Sequence, residues 1–122
     1  MKSQYPTYDF VCFSDLAFEF QTSDSKEVEV KIKRKLILYN LGTYDQKRVD
    51  YIRNFKNDLY QEISKSKESK YFETASKVSD YDEYSDFNFD KMINDYRKKY
   101  SKIKPSDLYD MVNYAIYLYN LK

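Results

Sequence analysis

The apolar residues of this chain change their spacing near Gly42, its only glycine, and that change constrains the fold more than any other feature. Before it, from Tyr8 to Phe20, the even positions read Tyr8, Phe10, Cys12, Ser14, Leu16, Phe18 and Phe20, with Asp9, Asp15 and Glu19 among the odd ones. After a polar turn at Gln21 to Ser25, Val28, Val30, Ile32, Leu36 and Leu38 alternate with Glu27, Glu29, Lys31, Lys33 and Lys35. A period of two implies strands. Pairing Phe20 with Val28, Phe18 with Val30 and Leu16 with Ile32 puts both apolar sets on one face of an antiparallel hairpin. Ser14-Asp15 is the weak point, since it could instead cap a helical turn.

Beyond Gly42 the spacing turns helical. Thr43-Tyr44-Asp45-Gln46 has capping-box spacing, and Val49, Ile52, Phe55 or Lys56, Leu59 and Ile63 follow on one face. A second helix carries Phe89, Met92, Ile93, Tyr96, Tyr100 and Ile103, capped by Asp86 or Asn88 and stopped by Pro105. Ser106 then caps a third, with Leu108, Met111, Val112, Ala115, Ile116 and Tyr119 as its buried stripe. The expectation is an α+β fold in ββααα order. The hairpin takes about 8–20 and 27–39, and the helices about 44–66, 87–103 and 106–121. At 122 residues this is the size of one domain. A polar, Ser/Lys-rich connection at about 64–85 is read as mobile.

Composition removes most chemistries. With no His, catalysis through imidazole and the commonest zinc and iron ligand sets are excluded. The single cysteine, Cys12, falls on an apolar face and reads as a small buried hydrophobe. No phosphate-cradling loop or nucleophile elbow is present. No cofactor is expected, and no enzyme. No apolar run approaches the roughly 20 residues that span a bilayer. Met1-Lys2-Ser3-Gln4-Tyr5-Pro6 lacks the make-up of a signal peptide, so a cytoplasmic location is expected. Lys outnumbers Arg 17 to 4, and Tyr, Asn and Ile are favoured over Gly, Ala and Pro. That bias fits A/T-rich codons and points to a bacterial host of low G/C content, or its phages and plasmids.

The net charge of +1 conceals a segment of opposite sign. Between Asp80 and Asp95 there are six acids and one base, interleaved with Tyr81, Tyr84, Phe87 and Phe89. Asp80, Asp82, Glu83 and Asp86 partly suggest an oxygen-ligand loop, but the EF-hand glycine and its final Glu are missing, so no metal is expected. A solvated loop leading into a helix explains the acids equally well. As a binding surface, Asp80, Tyr81, Asp82, Glu83, Tyr84, Asp86, Phe87 and Asp90 offer charge beside rigid aromatic area, suited to a basic cleft on a host protein. The function expected on this reading is a non-enzymatic, anti-CRISPR-like inhibitor from a phage or mobile element. Two alternatives stand beside it. Lys31, Lys33, Arg34 and Lys35 on the outer strand face, with Arg48 and Arg53 on the first helix, could form a nucleic-acid-binding stripe. The tyrosines of the last helix, Tyr109, Tyr114, Tyr117 and Tyr119, could instead pair two copies in a dimeric structural protein.

Overall fold

The computed structural model describes residues 6–17, 19, 25–65, 68–72 and 88–120. Five helices follow one another: α1 (Tyr8–Leu16), α2 (Ser25–Leu38), α3 (Gln46–Ser64), α4 (Phe89–Lys99) and α5 (Pro105–Asn120). No strand forms among the described residues, so the expected N-terminal hairpin, and with it the α+β class, is wrong. The chain divides into two compact units, residues 1–56 and 57–122, with the boundary inside α3.

The reason for the correction lies in the odd positions. Val11 and Phe13 would face outward on a strand through Cys12 and Leu16, yet all four are buried. A helix gathers Cys12, Phe13, Leu16 and Ala17 at spacings of three and four, whereas a strand cannot. Thr7 starts α1 by accepting a hydrogen bond from the Phe10 amide (3.3 Å). In α2 the run Glu-Val-Glu-Val-Lys-Ile-Lys fits both periods, but Leu36-Ile37-Leu38 breaks the alternation. The helix buries Val28, Ile32 and Leu36, at i, i+4 and i+8, and leaves Val30 out. Each of those three burials is worth about 1.5–3 kcal/mol. A two-stranded hairpin alone is marginal in water, while a helix satisfies its backbone internally. Glu27 in the first turn and Lys35 in the last also suit the helix dipole.

Asn40 ends α2 in the left-handed region (φ 54°). The Leu41 amide reaches back to the Leu36 carbonyl (2.9 Å) and the Asn40 amide to that of Ile37 (3.1 Å), the pattern of a Schellman stop. Gly42 follows at φ 113°, where a side chain would be strained. The cap of α3 is Asp45 rather than Thr43. Its carboxylate accepts from the Lys47 and Arg48 amides (3.0 and 3.3 Å). Thr43 offers its carbonyl to the Tyr8 hydroxyl (2.9 Å), which in turn accepts from the Asp45 amide (2.8 Å), so Tyr8 holds the loop before α3.

The stripe expected for α3 is buried: Val49, Ile52, Phe55, Lys56, Leu59 and Ile63. Within the first unit Phe13 and Phe55 meet with tilted rings 5.7 Å apart. In the second unit α4 packs on α5. Asn88, rather than Asp86, caps α4 by accepting from the Lys91 amide (3.1 Å). The helix stops at Lys99, earlier than expected, while Ile103 remains buried in the link. Pro105 opens α5 as its first residue, where a missing amide costs nothing, so Ser106 is not the cap. Leu108, Met111, Val112, Ala115 and Ile116 are buried as their spacing requires. Of the connection expected at about 64–85, residues 68–72 form turns after α3, and 66–67 and 73–85 lie outside the described residues.

Candidate functional site

The nucleophile candidate is Cys12; the oxygen-ligand candidates Asp80, Asp82, Glu83 and Asp86 lie outside the described residues. Cys12 is fully buried, and burial first, then the nearby Asp9 and Asp15 charges, push its thiol up to about 12. A thiol so placed stays protonated at neutral pH and is out of reach of substrate. Among the described residues no group of three or more His, Cys, Asp or Glu could hold a metal ion. No helix among them is long and apolar enough to cross a membrane.

Most cations expected to form a nucleic-acid stripe are turned to carboxylates of the same unit. Arg48 grips Asp9 through both ends of its guanidinium, with Nε donating to Oδ1 at 2.9 Å. Arg53 donates to Glu19 from Nε (3.0 Å) and Nη2 (2.7 Å), and to Asp50 from Nη1 (2.8 Å). Glu29 lies 3.6 Å from the same guanidinium, which ties α2 to α3. Lys56 adds a second cation 3.5 Å from Glu19. Burial works to raise the Glu19 carboxyl, but the Arg53 hydrogen bonds and charge, helped by Lys56, hold it below its ordinary value. Lys35 reaches Asp15 at 2.7 Å and Lys31 pairs loosely with Glu27 at 3.9 Å.

Lys33 and Arg34 remain. The Lys33 ammonium sits 4.9 Å from the ring centroid of the half-buried Tyr44, and Lys33 and Arg34 are both exposed. As a strand, Lys31, Lys33 and Lys35 would share one face; on the helix they diverge by about 200° per pair of residues. The six expected contacts therefore do not make one free basic surface.

Of the acidic aromatic segment, Asp80, Tyr81, Asp82, Glu83, Tyr84, Asp86 and Phe87 lie outside the described residues. Asp90 is described: it is exposed on the first turn of α4, one helical step from the half-buried Phe89. Phe89 in turn meets Tyr109 edge-on at 4.9 Å, so the start of α4 is fixed against α5 by an aromatic pair. Tyr109 and Tyr117 are about half exposed, Tyr114 is half-buried, and the Tyr119 side chain lies outside the described residues.

One surface was not anticipated. Val30, Ile37 and Leu38 are 51%, 80% and 71% exposed on the side of α2 away from its buried stripe. Strand parity assigns Val30 and Leu38 to the core and so conceals the patch. A helical projection of residues 25–38 would have found it. Compared with family models, curated proteins and solved structures, the chain has no match in any of the three.

Proposed function

We propose that the chain is a non-enzymatic inhibitor of the kind phages and mobile elements encode. It binds a host protein with a basic cleft, a nucleic-acid-processing defence enzyme of the type anti-CRISPR proteins occupy, through Asp80 to Asp90. The observation that carries the reading is the concentration of six acids and one base between Asp80 and Asp95, spaced by aromatic rings. A run of carboxylates offers negative charge of the kind a basic nucleic-acid channel receives, and the rings add rigid contact area. The exposed position of Asp90 at the head of α4 agrees with that role. The buried, protonated Cys12 favours binding over catalysis.

The nucleic-acid-binding alternative is weakened by the internal engagement of Lys35, Arg48 and Arg53. A phosphate would have to displace a carboxylate already paired at each of them.

The test is a plasmid-interference assay in bacteria that express a panel of Cas nucleases with matching guides. The wild-type chain should restore transformation against at least one nuclease. The variant Asp80→Asn/Asp82→Asn/Glu83→Gln/Asp86→Asn/Asp90→Asn should lose that protection while its circular dichroism is unchanged. Protection undiminished in the variant, or none against any nuclease, overturns the proposal. Gel shifts with single- and double-stranded DNA and RNA address the alternative, and are expected to show no salt-sensitive complex.

A further inference from the structure

We propose that the outward ridge of α2 is a second docking surface, and that its occupant is an acidic amphipathic helix of a partner protein. The ridge is Val30, Arg34 and Leu38, spaced i, i+4 and i+8, with Ile37 beside them. Its three aliphatic side chains are half to four-fifths exposed, although the opposite stripe of the same helix is at most 2% exposed. Scattered exposed aliphatics need no explanation; three on one face of a short helix form a patch. From Val30 to Leu38 the ridge runs about 12 Å, two turns of a partner helix laid along it.

The charges choose the occupant. Arg34 sits in the middle of the ridge between Val30 and Leu38, and makes no ion pair among the described residues. Lys33 is exposed on its flank. An arginine framed by aliphatic groups is the composition of an interface hot spot, where a carboxylate of the partner is desolvated beside apolar contacts. A bilayer would have to take up the guanidinium along with the aliphatics on either side of it, at a cost the three small side chains barely offset. A nucleic acid would satisfy Arg34 and Lys33, but it would leave Val30, Ile37 and Leu38 in water, with no aromatic platform for its bases. A helix carrying Glu or Asp between Leu or Ile residues meets both requirements. The inference does not rest on residues 80–90.

The experiment is fluorescence anisotropy on the full chain with two labelled synthetic helices of equal length and leucine pattern, one with glutamates flanking the leucines and one with lysines. The acidic helix is expected to bind, and the basic one to bind at least about tenfold more weakly. Arg34→Glu should reverse that preference, and Ile37→Ser/Leu38→Ser should weaken both complexes about tenfold or more without lowering thermal stability, since these side chains are exposed. No binding of the acidic helix up to ~1 mM, or equal binding of both helices, overturns the proposal. So does stronger binding to phosphatidylserine vesicles, or to single-stranded DNA, lost in the same variants.

Discussion

The two units hold their carboxylates in different ways. In the first, residues 1–56, guanidinium and ammonium groups do it: Arg48 on Asp9, Arg53 on Glu19 and Lys35 on Asp15. In the second, residues 57–122, hydroxyls do much of the work. Tyr71 donates to Asp95 (2.8 Å), Tyr100 to Asp58 (2.8 Å) beside Lys99, and Ser69 to Glu62 (2.6 Å). The difference teaches how a chain rich in Tyr and poor in Arg can be built. A phenol supplies a donor together with an apolar ring, so Tyr71, Tyr96 and Tyr100 pack on one another while two of them reach a carboxylate. The four arginines cannot be everywhere, and two of them sit where a carboxylate must be held between elements of the first unit.

Arg53→Met tests the ion pairs of the first unit most severely. It leaves Glu19 with only the more distant Lys56, and should destabilise the chain by about 3 kcal/mol in urea unfolding. A loss below about 1 kcal/mol would reduce the first unit's ion pairs to surface decoration. Acid distinguishes the ties next. Glu19, Asp58 and Glu62 are each held below their ordinary values of 4.5, 3.8 and 4.5, against the opposing pull of burial. A depressed carboxyl stabilises the fold above its unfolded value, and that contribution is lost as pH falls through the folded one. Stability should therefore be level from about pH 5 to neutrality and decline below about 4.5. Glu19→Gln should be less stable than the wild type at neutral pH, with the gap closing as acid is added.

Smaller effects probe the hydroxyls and the turn. Tyr100→Phe removes one donor to Asp58 and should cost about 1.5 kcal/mol, because the acceptor is charged. Gly42→Ala should cost about 1 kcal/mol from its φ of 113° alone, since no atom lies within 4 Å of the added methyl. Both are read from shifts in the unfolding midpoint.

The same division runs through the sequence. The stripes of α3, α4 and α5 carry apolar residues at three and four with polar ones between, and they admit no other period. The first forty residues admit two. Glu-Val-Glu-Val-Lys-Ile-Lys satisfies a strand and a helix equally, and the decision falls to tertiary packing of Val28, Ile32 and Leu36, which no local pattern contains. Apolar Val11 and Phe13 at odd positions, and three consecutive apolar residues from Leu36, are the signals in the sequence against a strand. Asp45 as a cap and Asn40 as a stop use short polar side chains that appear in many loops, so they show only once the helix ends are known. The ion pairs joining Asp9 to Arg48 and Glu19 to Arg53 connect residues more than thirty apart in sequence. The chain's charge pattern holds nothing that selects those partners. The acidic aromatic segment, by contrast, is conspicuous by composition alone, and the role proposed for it rests on that composition.

The fold of the first unit and the proposed docking ridge both depend on the orientation of α2. Methyl NMR with a soluble paramagnetic relaxation agent measures it directly. The prediction is strong broadening at Val30, Ile37 and Leu38, none at Val28, Ile32 and Leu36, and sequential amide–amide contacts throughout 25–38. Equal protection of Val28, Val30 and Ile32, with cross-strand α-proton contacts to the segment before residue 20, would restore the hairpin and remove the ridge.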